Sequence, residues 1–351
     1  MSDTETGTAQ ADSELTASLE KHLRQSYALS VTSMKFLGGE LDRNYRVSTA
    51  NGETFLAKIQ LHFADRGELQ SQEDILVHLS TRPLDVSVPV IKPGVDGLYN
   101  RRMTVGAEQA VLRVFDWVEG TELINVAQHS PALLIELGST AAHITNALDG
   151  FPRSALAATH HWDIVRSREM IDAFIADDAA LEQAPYVRTV LEWFDAAAPL
   201  LPALPKSLVH NDLNDNNVLV DERNGAQFVS GILDFNDALY SIRVAEVAIA
   251  GAYAMLRKEQ PLEALAAVVA GYNSVTALTD DEFAVVYSLA AARLCVQALT
   301  WTSRGRVTPT DYGKMRMRHT LPTLEKLLDI DPCTALKKIR SASGTVLSST
   351  V

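Results

Sequence analysis

At 351 residues, 47% hydrophobic and 21% charged, the chain has room for about two domains and the composition of an average globular protein, which excludes wholesale disorder. Its net charge of -13, with no local basic patch, argues against nucleic acid or an anionic membrane as partner. Two cysteines, Cys295 and Cys333, are too few for a disulfide scaffold; with a polar, acidic start in place of a secretory leader, they predict a cytoplasmic protein.

Residues 1–15 are polar and aperiodic and are expected to be disordered, as is the tail 341–351. From Met34 to Ile59 the text reads as strands. Asn44 to Thr49 alternates, Asn51-Gly52 marks a tight hairpin, and Thr54 to Ile59 is the partner strand. Between Glu68 and Leu79, helical spacing puts Leu69, Gln72, Ile75, Leu76 and Leu79 on one face. Pro83, Pro89 and Pro93 then punctuate a connection with a short apolar run, and Val111 to Phe115 is another strand.

Beyond Thr121 the period is that of helices, over roughly 131–147, 164–180, 187–199, 245–257, 261–272, 281–301 and 319–329. The exception is 207–236, where short apolar runs alternate with polar turns. The longest charge-free stretch, Ala264 to Thr279, is 16 residues and too short to span a membrane. The pattern predicts an α+β, bilobal chain. A small antiparallel-sheet lobe with one helix (16–115) passes once, through a hinge (116–119), into a larger, mainly helical lobe (120–340), with a cleft between them.

Residues 210–217 read His-Asn-Asp-Leu-Asn-Asp-Asn-Asn, followed by the strand Val218-Leu219-Val220 and then Gly231-Ile232-Leu233-Asp234-Phe235-Asn236-Asp237. A loop Asp, an Asn five residues later and a second Asp 17 residues beyond follow the order of the phosphoryl-transfer template of protein kinases. The residue types suit that chemistry. Mg²⁺ prefers oxygen donors and takes few from protein, so the Asn217 carbonyl and the Asp234 carboxylate could hold it on a triphosphate. Asp212 would accept the proton of an attacking hydroxyl. A strand–turn–strand hairpin brings the three to one end of two adjacent strands. His210 is better suited to pinning the loop by hydrogen bonds than to acid–base work. Asn211 and Asn236 stand where such loops often carry Gly, and Asn tolerates positive φ.

Lys58, in Phe-Leu-Ala-Lys-Ile on the returning strand, is either an edge charge or a ligand of the α/β-phosphates; its register after the turn favours the second. Its partner on the following helix is open among Gln72, Glu73 and Glu68. Gly38-Gly39 and the residues to Asn44 form either a loop over the phosphates or an ordinary hairpin. Asp116, Trp117 and Val118 sit where the lobes join, with backbone placed for a purine base, although Trp117 is equally well explained by packing.

These blocks, with 111–120, 229–240, 245–250 and 278–299, resemble the aminoglycoside phosphotransferase/choline kinase superfamily over about residues 20–330, and within it hydroxylysine kinase and its bacterial relatives. The resemblance implies a protein-kinase-like fold, Asp212 as catalytic base, Asn217 and Asp234 as Mg²⁺ ligands, and Lys58 on the phosphates of ATP or GTP. Departures from the pattern are Asn211, Asn236 and Gln72. The acceptor would be the hydroxyl of a small amine or amino acid, with Asp215 and Asp237 placed to receive an ammonium group. Arg293 either binds a substrate carboxylate or forms an ion pair, for instance with Glu246; Glu246 itself braces the catalytic loop.

Two other functions compete. Antibiotic phosphorylation demands a wider, strongly acidic acceptor surface. An inactive nucleotide-binding pseudokinase is disfavoured by the presence of Asp212, Asn217, Asp234 and Lys58 together. A protein kinase is disfavoured because no long polar activation segment ending in Ala-Pro-Glu follows Asp237.

Overall fold

The structure, a computed structural model, describes residues 3–39, 42–61, 66–105, 108–152 and 160–349. The chain divides into two units, Met1–Thr81 with Val88–Val118, and Arg82–Ser87 with Glu119–Val351. The chain therefore passes between units three times, where a single crossing was expected. The short return is explained by pairing within the second unit. The Ser87 amide donates to the Ser230 carbonyl at 2.9 Å, and the Ile232 amide to the Ser87 carbonyl at 2.9 Å.

In the first unit the helix α1 (Asp3–Tyr27) precedes strands β1 (Val31–Gly38), β2 (Asp42–Thr49) and β3 (Thr54–Gln60), helix α2 (Arg66–Ser80), and strands β4 (Asn100–Val105) and β5 (Glu108–Asp116). The five strands form an antiparallel sheet in the order β1-β2-β3-β5-β4. Strand β2 alternates as its sequence predicts, burying Tyr45 and Val47. Two expectations are corrected here. Among its described residues the unit carries two helices, and residues from Asp3 onward belong to the first. Leu15, Leu19, Leu23 and Tyr27 recur every four residues and pack in one core with Tyr45, Val47, Phe55, Ala57, Ile59, Leu112 and Val114. That buried stripe anchors the polar residues that extend the helix. Strand β4 escaped prediction because of its polar start, Asn-Arg-Arg; among its residues Met103 is the buried one, as suits a sheet edge.

The second unit contains β6 (Thr121–Glu122), α3 (Pro131–Ala147), α4 (Ser167–Asp177), α5 (Pro185–Ala197), β7 (Lys206–Val209), β8 (Val218–Arg223), β9 (Ala226–Ile232), β10 (Leu239–Ile242), α6 (Val244–Ala254), α7 (Pro261–Val275), α8 (Asp280–Val307), α9 (Asp311–Leu328) and α10 (Pro332–Ser349). Two small sheets, β6-β8-β9 and β10-β7, carry the loops of interest. Helices α3 and α7 meet backbone to backbone: a Cβ at Gly138 would collide with the Val268 carbonyl, and one at Gly271 with the Ile135 carbonyl. Helix α8 opens with a capping box, Thr279 with Glu282. It is long and apolar enough to cross a membrane by composition, yet it is buried as a core helix of this unit. Helix α10 runs to Ser349 and buries Ser343, where a flexible tail was expected from 341; Ala335 and Ile339, spaced by four ahead of it, are buried on the same stripe.

Candidate active site

Strand β7 ends at Val209, and the next eight residues form the loop that reaches β8. His210 is fully buried. Its Nδ1 accepts the Asp212 amide at 3.2 Å, its Nε2 lies 2.8 Å from the Leu233 carbonyl, and its ring packs 4.5 Å from Phe235. Burial drives its pKa down to about 4. The ring is thus neutral, with Nδ1 accepting and the proton on Nε2 donated to Leu233. Asn211 takes φ 65 and donates its amide to Glu246 Oε2 at 3.2 Å. Glu246, in the first turn of α6, is fully buried, which pushes its carboxyl up to about 8.

Asp212 is held from both sides. Oδ2 accepts from Asn214 Nδ2 and from Asn217 Nδ2, each at 2.8 Å, while Oδ1 accepts from Arg293 Nη2 at 2.7 Å. The side chain keeps 20% exposure, so a hydroxyl can approach it. Burial pushes its carboxyl up to about 7, Arg293 pulling it down and Asp237 and Asp234 adding to the rise. Asn217 Nδ2 also donates to the Asp212 carbonyl at 2.9 Å. Only an amide nitrogen makes these bonds, so the Asn217 Oδ1 is directed away from Asp212.

Asp234 follows the end of β9. The Leu233 amide donates to the Asn217 carbonyl at 2.8 Å, and Val218 pairs with Ile232, which sets Asp234 beside Asn217. The left-handed residue here is Asp234 itself, at φ 57; of the two Asn positions that tolerate positive φ, Asn211 adopts it and Asn236 does not. Asp234 Oδ1 accepts the Asn236 amide at 3.4 Å, a short-range bond that suits an Asp in this conformation. The Asn217 carbonyl oxygen and the Asp234 carboxylate are hard donors that fit a divalent cation such as Mg²⁺.

Of the three candidate substrate contacts, two are taken up by ion pairs and one stays open as a candidate. Asp215 is fully buried: Oδ2 accepts from Arg257 Nη1 at 2.9 Å, Oδ1 from Arg316 Nη1, and its carbonyl from the Ile124 amide at 2.8 Å. Two guanidinium groups neutralise it, so it cannot serve as an ammonium receptor. Arg293 faces Asp212 and the Trp162 carbonyl, and its ion-pair partner is Asp212 in place of Glu246. Asp237 remains partly exposed, with His160 Nε2 3.4 Å from its Oδ1.

Within the first unit, Lys58 is 7% exposed and its Nζ lies 3.3 Å from Asp42 Oδ2. That is a fourth answer to the question of its partner. Glu73 is buried, accepts from Asn100 Nδ2 at 2.8 Å, and has its carboxyl raised by burial. Gln72 is buried beside it, and the Glu68 side chain lies outside the described residues. Asp42 was legible from register: β2 and β3 pair Asn44 with Lys58 and Asp42 with Gln60, so Asp42 is the diagonal neighbour. Gly38 and Gly39 take φ 95 and 142, and a Cβ on Gly39 would strike the Asp42 carbonyl. Glu40 and Leu41 lie outside the described residues. The amides of Asp116 and Trp117 donate to Val90 and Thr54 carbonyls at 2.9 and 3.2 Å. Neither amide is then available to a base. The Arg46 guanidinium stacks 4.6 Å from the Trp117 ring, so Trp117 serves in packing.

Residues 33–284 match the model of the phosphotransferase enzyme family (APH). The hydroxylysine kinase of Danio rerio is 26% identical over 290 residues, covering 78% of this chain and 79% of its own. Among solved structures, an amicoumacin kinase in complex with AMP-PNP, Ca²⁺ and Ami superposes with a TM-score of 0.66 at 16% identity, over 90% of this chain and 96% of that one. A microcompartment-associated aminopropanol kinase gives 0.61 at 20% identity, over 89% and 98%. The chain belongs to the phosphotransferase enzyme family, whose fold is protein-kinase-like. It is a small-molecule kinase.

Proposed function

We propose that the enzyme transfers the γ-phosphate of ATP or GTP, in the presence of Mg²⁺, to the hydroxyl of a small amine or amino acid. The observation that carries this is the locked Asp212–Asn217 pair, in which one amide nitrogen fixes the base and leaves its own side-chain oxygen directed away from it. Asn217 and Asp234 would hold the cation, whose charge, when bound, offsets that of the phosphates. Asp212 takes the hydroxyl proton as the acceptor oxygen bonds to the γ-phosphorus and the bond to the leaving diphosphate breaks. A carboxyl raised toward neutrality is matched to that task. Lys58 contacts the phosphates, Gly38 and Gly39 allow the β1–β2 connection to approach them, and Val118 with the nearby carbonyls reads the base. Asp237 receives the acceptor's ammonium group.

Support for an amino-acid or amino-alcohol acceptor comes from the hydroxylysine kinase relatives. The loss of Asp215 to two arginines leaves the acceptor side short of the acidic surface a polycationic antibiotic needs. The test is a screen of hydroxylated amines and amino acids with Mg-ATP and Mg-GTP, reading phosphoryl transfer by mass. Asp212→Asn should lower turnover by about 10² to 10⁴-fold with nucleotide affinity within several-fold. Near-normal kcat in that variant would refute the assignment of the base.

A further inference from the structure

Arg293 lies midway along α8, in a run whose other members are mostly apolar, and is 3% exposed. Desolvating a guanidinium is costly unless it is matched by charge and hydrogen bonds. Here Nη2 donates to Asp212 Oδ1 at 2.7 Å and Nη1 to the Trp162 carbonyl at 3.1 Å. Its Cζ lies 4.6 Å from the centre of the Trp162 ring and 5.8 Å from that of Tyr253, whose side chain also hydrogen-bonds it. A group enclosed in this way has no surface to offer a substrate.

Its effect on Asp212 follows from geometry. Both loop amides, Asn214 and Asn217, donate to the same oxygen, Oδ2. Pinning one oxygen alone leaves a carboxylate able to swing about its terminal torsion, whose energy wells are broad. The third donor, on Oδ1, fixes the plane. We propose that Arg293 is a positioning residue for Asp212, holding the carboxylate plane toward the acceptor hydroxyl and tying it to the His160–Asp163 segment through the Trp162 carbonyl. This rests on Asp212 being the base. A displacement of about 1 Å in a reacting group costs on the order of 10²-fold in rate. Lysine retains the charge but has one nitrogen, which cannot span the carboxylate and the carbonyl as a guanidinium does.

The full-length chain is prepared as wild type, Arg293→Lys, Arg293→Met, Asp212→Asn and the double variant Asp212→Asn/Arg293→Lys. Each is assayed for phosphate release from Mg-ATP alone, with water as acceptor, and with added 5-hydroxylysine. Nucleotide affinity and the thermal midpoint are measured alongside. Arg293→Lys should lower kcat about tenfold or more with nucleotide Kd and acceptor KM within about threefold, and Arg293→Met about 10²-fold. Arg293→Lys decides the matter if the methionine variant does not fold. In the Asp212→Asn background the same change should leave the residual rate untouched; a further tenfold fall there would mean a general structural role and overturn the proposal. Wild-type kcat in Arg293→Lys would overturn it too, as would a raised KM at constant kcat, which marks a substrate ligand. Those results, with Asp212→Asn inactive, leave the base assignment standing. An active Asp212→Asn removes both.

Discussion

Asp215 offers the sharpest separation between a structural and a substrate-binding role. Its carboxylate is fully buried and takes one guanidinium nitrogen from Arg257 and one from Arg316, the latter 3% exposed. Asp215→Asn keeps the shape but removes the charge, and it leaves one amide nitrogen facing a cation. Two charge-assisted bonds at roughly 1.5–3 kcal/mol each, and a stranded buried cation, give an expected loss of about 3–5 kcal/mol. The assay is urea denaturation followed by circular dichroism and tryptophan fluorescence, with Asp195→Asn as the control. Asp195 pairs with Arg168 at the surface, both about half exposed, so its loss should cost under about 1 kcal/mol. A loss below about 1 kcal/mol in Asp215→Asn, together with a tenfold rise in acceptor KM, would refute the buried-network reasoning and restore the ammonium-receptor role.

Glu246 carries a pH prediction. Its folded-state carboxyl, about 8, stands above the ordinary value of 4.5, so folding disfavours its ionised form. The penalty is absent below about pH 4.5, grows as pH rises, and is complete above about 8, on the order of a few kcal/mol. The stability gained by Glu246→Gln over wild type should therefore widen from pH 5 to pH 7.5 in urea midpoints; a flat or narrowing difference contradicts the sign. Gly39→Ala should cost more than Gly52→Ala, because a Cβ at Gly39 meets a backbone carbonyl while Gly52, at φ 85, has open space around it. Equal urea midpoints for the two would show that the β1–β2 connection yields freely. Asp234→Ala should abolish the Mg²⁺ dependence of nucleotide binding, and an unchanged Mg²⁺ titration would exclude Asp234 as the ligand.

Much of the framework was legible in local sequence because the signals were local. The Asn51-Gly52 turn, the alternation of β2 and the helical periods of α3 to α9 each depend on neighbours a few residues away. The same holds for the internal bonds of the loop from His210 to Asn217, which join residues two to five apart. The termini were misread for the converse reason. The polar residues at each end are carried by apolar stripes further along, Leu15 to Tyr27 in α1 and Ala335 to Ile339 in α10, and a stripe's reach depends on what it packs against.

The ion pairs divide along the same line, and they decide what each charged residue does. Lys58 and Asp42 are joined by a hairpin, so pairing register alone would have found them. Arg293 and Asp212 are 81 positions apart, and Arg316 and Asp215 are 101 apart. A sequence displays the cations and the acids but not which helix delivers which guanidinium, and two like acids three residues apart thereby acquired opposite duties. Asp212 keeps one arginine and an exposed edge, which leaves it free to meet a hydroxyl. Asp215 has two arginines and no exposure, so its contribution is to hold the loop against α9 and Arg257. A charge near a reactive loop becomes available for chemistry only where the fold leaves its counter-ions incomplete.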